Sequence, residues 1–320
     1  MRIVLRLFIF LLVSCFSLFA YAQYNGAYGF LSVPSSARIY GLGGMNISTV
    51  EDNLNVTDQN PALLGPEMGG WLDLNYMRYL GDSNFAGVSF GRAVDNHSAW
   101  KAGIQYFGYG SIDETTAEGA VIGSFSPMDI ALSGSYSHDL ASCWRVGASV
   151  KLIYSNYDSY TAWAVATDLG INYYNPEQDF SFSVVGANLG GQIKKFDNTS
   201  ERLPADLRIG VTRAIANLPL RWSVTGYNLT RWRNGNGGVF KHIVVGADCT
   251  ILDKLYISLG YNYKIRSEMS AYKRSLLSGF SIGAGFSASR FNLGAALAQP
   301  HTGATTLMVN IGLKIADIIK

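Results

Sequence analysis

From Trp71 onward the chain falls into segments of about ten residues in which apolar positions alternate with polar or small ones, set apart by turn residues. The clearest segment sets Leu255, Ile257, Leu259, Tyr261, Tyr263 and Ile265 against Tyr256, Ser258, Gly260, Asn262 and Lys264. The last segment sets Leu307, Val309, Ile311, Leu313 and Ile315 against Met308, Asn310, Gly312 and Lys314. Val146, Ala148, Val150, Leu152 and Tyr154 follow the same rule, with Lys151 on the other face. A period of two puts each set on its own face of a strand. Strands are expected near 71–80, 83–94, 98–108, 128–138, 144–155, 160–174 and 179–190. A second group falls near 204–215, 219–231, 238–251, 254–265, 276–288, 290–299 and 305–315.

The connections decide between a soluble sandwich and a membrane barrel. They alternate between short turns (Asp95-Asn96, Leu140-Ala141, Asn175-Pro176, Asn217-Leu218, Leu252-Asp253, Ser289) and mostly longer loops. The longer ones are 111–127, 155–160, 191–203, 232–237, 266–275 and 300–304, and Gly81-Asp82 is a short exception among them. Short periplasmic turns alternating with longer outer loops are what a membrane barrel with both ends in the periplasm requires. The fold class is therefore all-β: a transmembrane antiparallel β-barrel of about 14 strands over 71–320, apolar faces toward lipid and small or polar residues inside. Trp71, Tyr76, Tyr79, Trp100, Tyr106, Trp144, Tyr154, Trp222 and Tyr263 fall mostly near segment ends, where aromatic girdles form.

The chain ahead of the strands has a different character. Residues 1–22 read as an export signal: Arg2 and Arg6, an apolar run from Leu7 to Phe19, and Ala20-Tyr21-Ala22 before Gln23. Leu12-Val13-Ser14-Cys15 also resembles a lipoprotein signal, but cleavage at Cys15 would leave Phe16-Ser17-Leu18-Phe19 at the mature end. The stretch Pro34–Leu64 contains Pro34-Ser35-Ser36-Ala37-Arg38, Gly41-Leu42-Gly43-Gly44 and Asn60-Pro61-Ala62-Leu63-Leu64. Its small residues and prolines disfavour both helix and regular strand. Residues 23–70 are expected to fold inside the barrel as a hatch.

Composition narrows the function. Charged residues are 15% of the chain, below the roughly 25% usual for soluble proteins. A net charge of +2 with no basic run excludes nucleic acid as a natural partner. His97, His138, His242 and His301 are scattered, without Ser–His or metal-ligand spacing, so no catalytic centre, metal or cofactor is expected. Gly41-Leu42-Gly43-Gly44 lacks the Lys-Ser/Thr of a phosphate loop. Cys143 and Cys249 have no metal-type spacing and read as inert strand residues, although one disulfide is conceivable.

The hatch stretch, followed at once by strands, resembles the FadL-type outer-membrane proteins, in which an N-terminal hatch ending in Asn-Pro-Ala plugs a fourteen-stranded barrel. Within that superfamily the chain is most similar to the PorQ family of the type IX secretion system. Its length and the segment Tyr109-Gly110-x-Ile112 through Gly119-x-x-x-Gly123-x-Phe125-Ser126 carry that likeness. The resemblance implies a non-enzymatic outer-membrane role, helping to attach secreted cargo to the cell surface with a partner such as PorZ. It also allows a second function, transport of hydrophobic small molecules. The longest loops, 111–127 and 191–203, are short and polar for a greasy capture site, which favours anchoring over transport.

Two sets of candidate residues follow. In the hatch, Pro61 fixes φ and biases Asn60 to an extended shape whose amide can bond nearby backbone, suiting a corner at Asn60-Pro61-Ala62. Arg38, inside the lumen, would need carboxylates such as Asp52 or Asp73. On the outer loops stand Lys194, Lys195 and Arg202, then Arg231 and Arg233, then Arg266, Lys273 and Arg274, facing Asp113, Glu114 and Glu118 on another loop. Such cations could meet lipopolysaccharide phosphates or an acidic partner, or be the ordinary complement of a barrel among anionic lipids.

Overall fold

The structure, a computed structural model, describes residues 28–197, 200–231, 239–252, 254–268, 277–301 and 304–315. Its first strands are β1 (Trp71–Arg78), β2 (Asn84–Ala93) and β3 (Ser98–Gly108), followed by a small hairpin of β4 (Ile112–Thr115) and β5 (Val121–Phe125). Next come β6 (Met128–Ala141), β7 (Trp144–Tyr157), β8 (Tyr160–Asn175) and β9 (Phe180–Lys194). The second half supplies β10 (Asp206–Ala214), β11 (Leu220–Gly226), β12 (Ile243–Ile251) and β13 (Leu255–Asn262). The last strands are β14 (Phe280–Ser287), β15 (Phe291–His301) and β16 (Ala304–Lys314). Leaving out β4 and β5, fourteen strands pair antiparallel with their neighbours and close a barrel, β1 meeting β16. Closure removes the free edges that would otherwise face lipid with unpaired backbone groups.

The period-two pattern sorts the side chains as expected. Leu255, Ile257 and Leu259 are exposed on the outer face, while Ser258 is buried in the lumen. Leu307, Ile311 and Leu313 point outward, and Thr306, Met308 and Asn310 inward. Tyr76, Trp100, Tyr106, Trp144, Trp222 and Tyr263 are exposed on the outside. Trp71 departs from the girdle: it is buried, packed with Leu54, Leu63 and Met68 of the hatch. Tyr79 likewise packs against an interior cluster. Trp71 pairs with Lys314, so both barrel ends lie at the rim of the short turns, the periplasmic rim in barrels of this kind.

Local chemistry explains the strand ends that differ from the pattern. The strand expected through Tyr263 and Ile265 stops at Asn262, whose side-chain oxygen accepts from Lys264 N–H (3.1 Å) and Ile265 N–H (3.4 Å). That cap starts helix α1 (Tyr263–Glu268) instead. β11 ends at Gly226 rather than near 231, because Asn228 takes a left-handed φ of 52° and a 3-10 turn covers Leu229–Arg231. β12 begins only after a second 3-10 turn over Val239–His242. The 111–127 loop forms the β4–β5 hairpin, which pairs only with itself beyond the outer rim.

Two luminal glycines show why the hatch can lie on the wall. A Cβ at Gly260 would stand 2.0 Å from Gly43 N, and one at Gly147 would stand 2.3 Å from the Pro61 carbonyl. Backbone meets backbone at both places, and any side chain would push the hatch away.

Candidate functional site

The described hatch, residues 28–70, starts at the outer rim and runs down through the lumen. Tyr28 accepts a hydrogen bond from Gln192 Nε2 (2.6 Å), and a 3-10 turn follows over Gly29–Ser32. Helix α2 (Ala37–Gly41) comes next, shorter than two turns, against the expectation of no helix in this stretch. The wall supplies what so short a helix cannot. Ala37 N–H donates to Asn310 Oδ1, Asn310 Nδ2 to the Ser35 carbonyl (2.7 Å), and Ser281 Oγ to the Gly41 carbonyl (2.9 Å).

Arg38 projects from this helix into a buried charge cluster. Its guanidinium meets Glu51 (2.5 Å) and Asp248 (2.7 Å), donates to Thr250 (3.2 Å), and lies 4.4 Å from the Tyr256 ring centroid. Arg221 on β11 approaches the same carboxylates, Asp248 at 3.0 Å and Glu51 at 3.5 Å. The partners are thus Glu51 and Asp248, not the expected Asp52 or Asp73. Two arginines and two carboxylates neutralise one another, which makes the burial tolerable. Burial still raises the Glu51 carboxyl above its usual range, with Arg38 and then Arg221 pulling it back.

The Asn60-Pro61-Ala62 corner is a 3-10 turn over Pro61–Leu63 capped by Asn60. Asn60 Oδ1 accepts from Ala62 N–H (2.9 Å), while its Nδ2 donates to the Ile47 carbonyl (2.8 Å) and Ser183 Oγ (3.1 Å). One buried amide therefore joins the corner, the middle of the hatch and β9. Nearby, Lys101 Nζ is buried and donates to the Leu54 carbonyl (3.1 Å), Thr57 Oγ1 (2.8 Å) and Asp58. The polar space left between Leu31–Val33, Gln59, Lys151 and Arg208 is about 20 Å³, room for little more than one water. Among the described residues the hatch fills this middle part of the lumen, and larger clefts of about 350 and 250 Å³ lie beside Glu51 and Asp52 at the rim of the short turns.

One side of the outer half of the lumen is lined by an apolar cluster, unusual for a barrel interior, while Asp206, Arg208, Thr225 and Asn262 are buried on the other side. Tyr28, Phe30 and Tyr40 of the hatch pack there with Met77, Phe85, Phe107, Ile153 and Met308 of the wall. Rings continue from Tyr28 to Phe196 (6.3 Å) to Tyr157 (5.0 Å) to Tyr109 (5.8 Å). Beneath them Asp129 accepts from Tyr109 (2.6 Å), Tyr157 (2.9 Å) and Ser155. On the lipid side, Leu259, Leu277, Phe280, Ile282 and Leu297 line an apolar groove of about 470 Å³. Phe280, Ser281, Ala298 and Gln299 of that groove also face a small space against Tyr40 and Gly43 of the hatch. The wall there is a single layer between hatch and lipid.

The described outer cations stand on separate connections. Lys194 ends β9 and donates to Thr161 Oγ1 (2.7 Å), Lys195 is exposed beside it, and Arg202 lies on the same connection. Arg266 sits on α1, several strands around the barrel, and donates to the Tyr261 hydroxyl (3.3 Å). Arg231 closes the 3-10 turn after β11, while Arg233, Lys273, Arg274 and the signal segment with Cys15 lie outside the described residues. Cys143 and Cys249 are free thiols. The register also makes one pair that spacing does not reveal: Ser98 Oγ and His138 Nδ1 lie 2.8 Å apart, on facing residues of β3 and β6. Ser98 is buried and His138 exposed at the rim, and among the described residues no carboxylate is recorded on His138, so the pair lacks the orienting third group of a triad.

A closed fourteen-stranded barrel with an N-terminal hatch across its lumen defines the class: a plugged barrel of the outer-membrane type. No protein-family profile and no curated protein sequence matches the chain. Among solved structures its neighbours include FadL-family outer-membrane barrels. It is similar to the Pseudomonas putida toluene transporter TodX (TM-score 0.53, 12% identity, 87% of this chain and 96% of that one). A TodX monoaromatic hydrocarbon channel lacking S2 and S3 aligns at TM-score 0.55, with 12% identity over 87% and 96%. A Pseudomonas aeruginosa FadL homologue aligns at 0.50, with 10% identity over 88% and 98%. At such identities the likeness is one of fold. These neighbours are channels and transporters.

Proposed function

We propose that this protein is a non-enzymatic outer-membrane barrel that passes a hydrophobic small molecule, the hatch holding the route closed at rest. The observation that carries the reading is the apolar cluster on one side of the outer half of the lumen. A barrel interior needs no such lining for water or ions, and here Tyr28 and Phe30 fill it. Displacing the first turn of the hatch would leave a chamber suited to an acyl chain or small aromatic. The lipid-facing groove at Phe280 and Ala298 lies across the paired β14–β15 wall from the hatch, where an apolar molecule leaving the chamber sideways would reach the membrane. That a toluene transporter and a monoaromatic hydrocarbon channel share the fold supports the reading.

A second reading, a PorQ-type component of the type IX secretion system that anchors a PorZ-like surface partner, draws on the residue resemblance and two observations. The hatch is tied to the wall by the buried Arg38 cluster, and the β4–β5 hairpin lifts Ile112, Val121 and Ile122, all exposed, beyond the rim. One experiment separates the two. A deletion strain, with and without the restored gene, is assayed for uptake of labelled decanoate and toluene and for surface-attached cargo. Transport predicts lost uptake with normal cargo attachment. Normal uptake with cargo released from the surface would overturn it in favour of the platform.

A further inference from the structure

The barrel wall is not of even height. Strands β6 to β9 run fourteen to sixteen residues each, whereas β10 to β14 run seven to nine. A tilted strand needs about nine to eleven residues to cross the hydrocarbon of a bilayer. At eight residues each, β13 and β14 fall short: β13 stops at Asn262, and β14 starts only at Phe280. The lipid-facing groove of about 470 Å³ lies on this low stretch, over β13 to β16.

The groove changes character along its length. Leu259 faces Ile282 and Ile282 faces Leu297, so three exposed aliphatic side chains stand level across β13, β14 and β15. Two residues nearer the outer rim, Tyr261 faces Phe280, and the Gln299 carbonyl accepts from Gly279 N–H (3.5 Å). Gln299 and the exposed Thr305 of β16 line the groove at this end. The greasy part therefore lies deeper in the membrane, with amide and hydroxyl groups above it.

A cation stands over the polar end. Arg266 lies on α1, the helix that takes the place of the top of β13. Its stem is seated on Gly279, where a Cβ would stand 3.1 Å from Arg266 Cβ. Its Nη1 donates to the Tyr261 hydroxyl (3.3 Å), and the Tyr261 ring packs on Phe280 with centroids 4.8 Å apart. Among the described residues the lysine and arginine ion pairs belong to Arg38, Lys101, Arg145, Lys151, Arg208 and Arg221, not to Arg266. A guanidinium held above an apolar groove matches a molecule with a hydrocarbon chain below and a phosphate above.

We propose that this groove binds a phosphorylated acyl lipid of the outer leaflet. One chain lies along Leu259, Ile282 and Leu297, Arg266 meets the phosphate, and Gln299 and Thr305 meet the polar head. The groove opens on hydrocarbon, so an acyl chain and not water is its natural occupant. A short apolar wall thins the bilayer around it at a cost, which a lipid seated at the low point reduces. The site stands whether the barrel transports or anchors, and any molecule leaving sideways through the β14–β15 wall would have to displace this lipid.

The test titrates the full barrel in detergent micelles with bisphosphoryl lipid A and reads bound lipid by native mass spectrometry. Wild type should take up one lipid saturably. Arg266→Gln should weaken binding about tenfold, the loss of one hydrogen bond to a charged group. Thr305→Trp, which fills the outer end of the groove from an exposed position, should weaken it too. Lys194→Gln, on another connection, should leave it unchanged, and the gel-mobility shift confirms that each variant is folded. Lipid A stripped of its phosphates should bind wild type as weakly as intact lipid A binds Arg266→Gln. Equal affinity in Arg266→Gln, an equal loss in Lys194→Gln, or displacement of the lipid by inorganic phosphate alone would overturn the site.

Discussion

Replacing Arg38 by methionine tests how firmly the hatch is held. The side chain is 8% exposed, and its partner Asp248 is 2% exposed, so water does little to screen either charge. Removing one member of a buried pair costs about 3–5 kcal/mol. Arg221 stays in contact with both carboxylates, at 3.0 and 3.5 Å, which puts the expected loss near the lower end, about 3 kcal/mol. For a chain of this size that is a fall of roughly 6–10 °C in the unfolding midpoint, read by circular dichroism of the refolded barrel in micelles. The pH dependence carries a definite sign. The folded Glu51 carboxyl sits above its ordinary 4.5, so the folded chain binds more protons than the unfolded one as pH rises from there. Its contribution to stability is therefore fully present below that value and is lost as pH rises toward the folded value. Removing Arg38 raises the folded value further and widens the window. The gap between Arg38→Met and wild type should narrow in acid, and Arg38→Met with Glu51→Gln should recover part of the loss at neutral pH. A single variant that melts with wild type, or a double variant no better than the single, would refute the reasoning.

Three other perturbations probe the remaining contacts. Asn60→Ala removes three hydrogen bonds and strands the buried Ile47 carbonyl, for an expected loss of about 3 kcal/mol in denaturant unfolding. Gly260→Ala forces a methyl against the Gly43 backbone and should cost about 3 kcal/mol, seen as a lower temperature for the gel-mobility shift of the folded barrel. Replacing 111–126 by a two-glycine turn should leave the unfolding midpoint within about 1 °C of wild type, because β4 and β5 pair only with each other.

The barrel was legible because its signal repeats: every lipid-facing strand must alternate, and Leu255, Ile257 and Leu259 do so in the chain as on the surface. The hatch was legible only as an exception to that rhythm. Its small residues mark where backbone lies on backbone, as Gly43 does on Gly260, but not which part of the wall it meets. The partners of Arg38 show the limit. Glu51 and Asp248 stand 13 and 210 residues away, and the closure of β12 into the wall, not any local spacing, brings Asp248 there. Asp73, expected to pair with Arg38, instead accepts from the Leu54 N–H of the hatch. The strand end at Asn262 was missed because the side chain that caps α1 fits the polar face of a strand equally well.

Transport requires that the hatch, which fills the middle of the lumen, shift for anything to pass. Ser48 Oγ of the hatch and Thr212 Oγ1 of β10 lie 2.8 Å apart, so cysteines at both positions, with Cys143 and Cys249 changed to serine, can lock one to the other. The decisive measurement is uptake of labelled decanoate and toluene by cells carrying the locked barrel, before and after reduction. Uptake blocked by the disulfide and restored by reductant is the predicted result, and full uptake through the oxidised barrel would contradict the account.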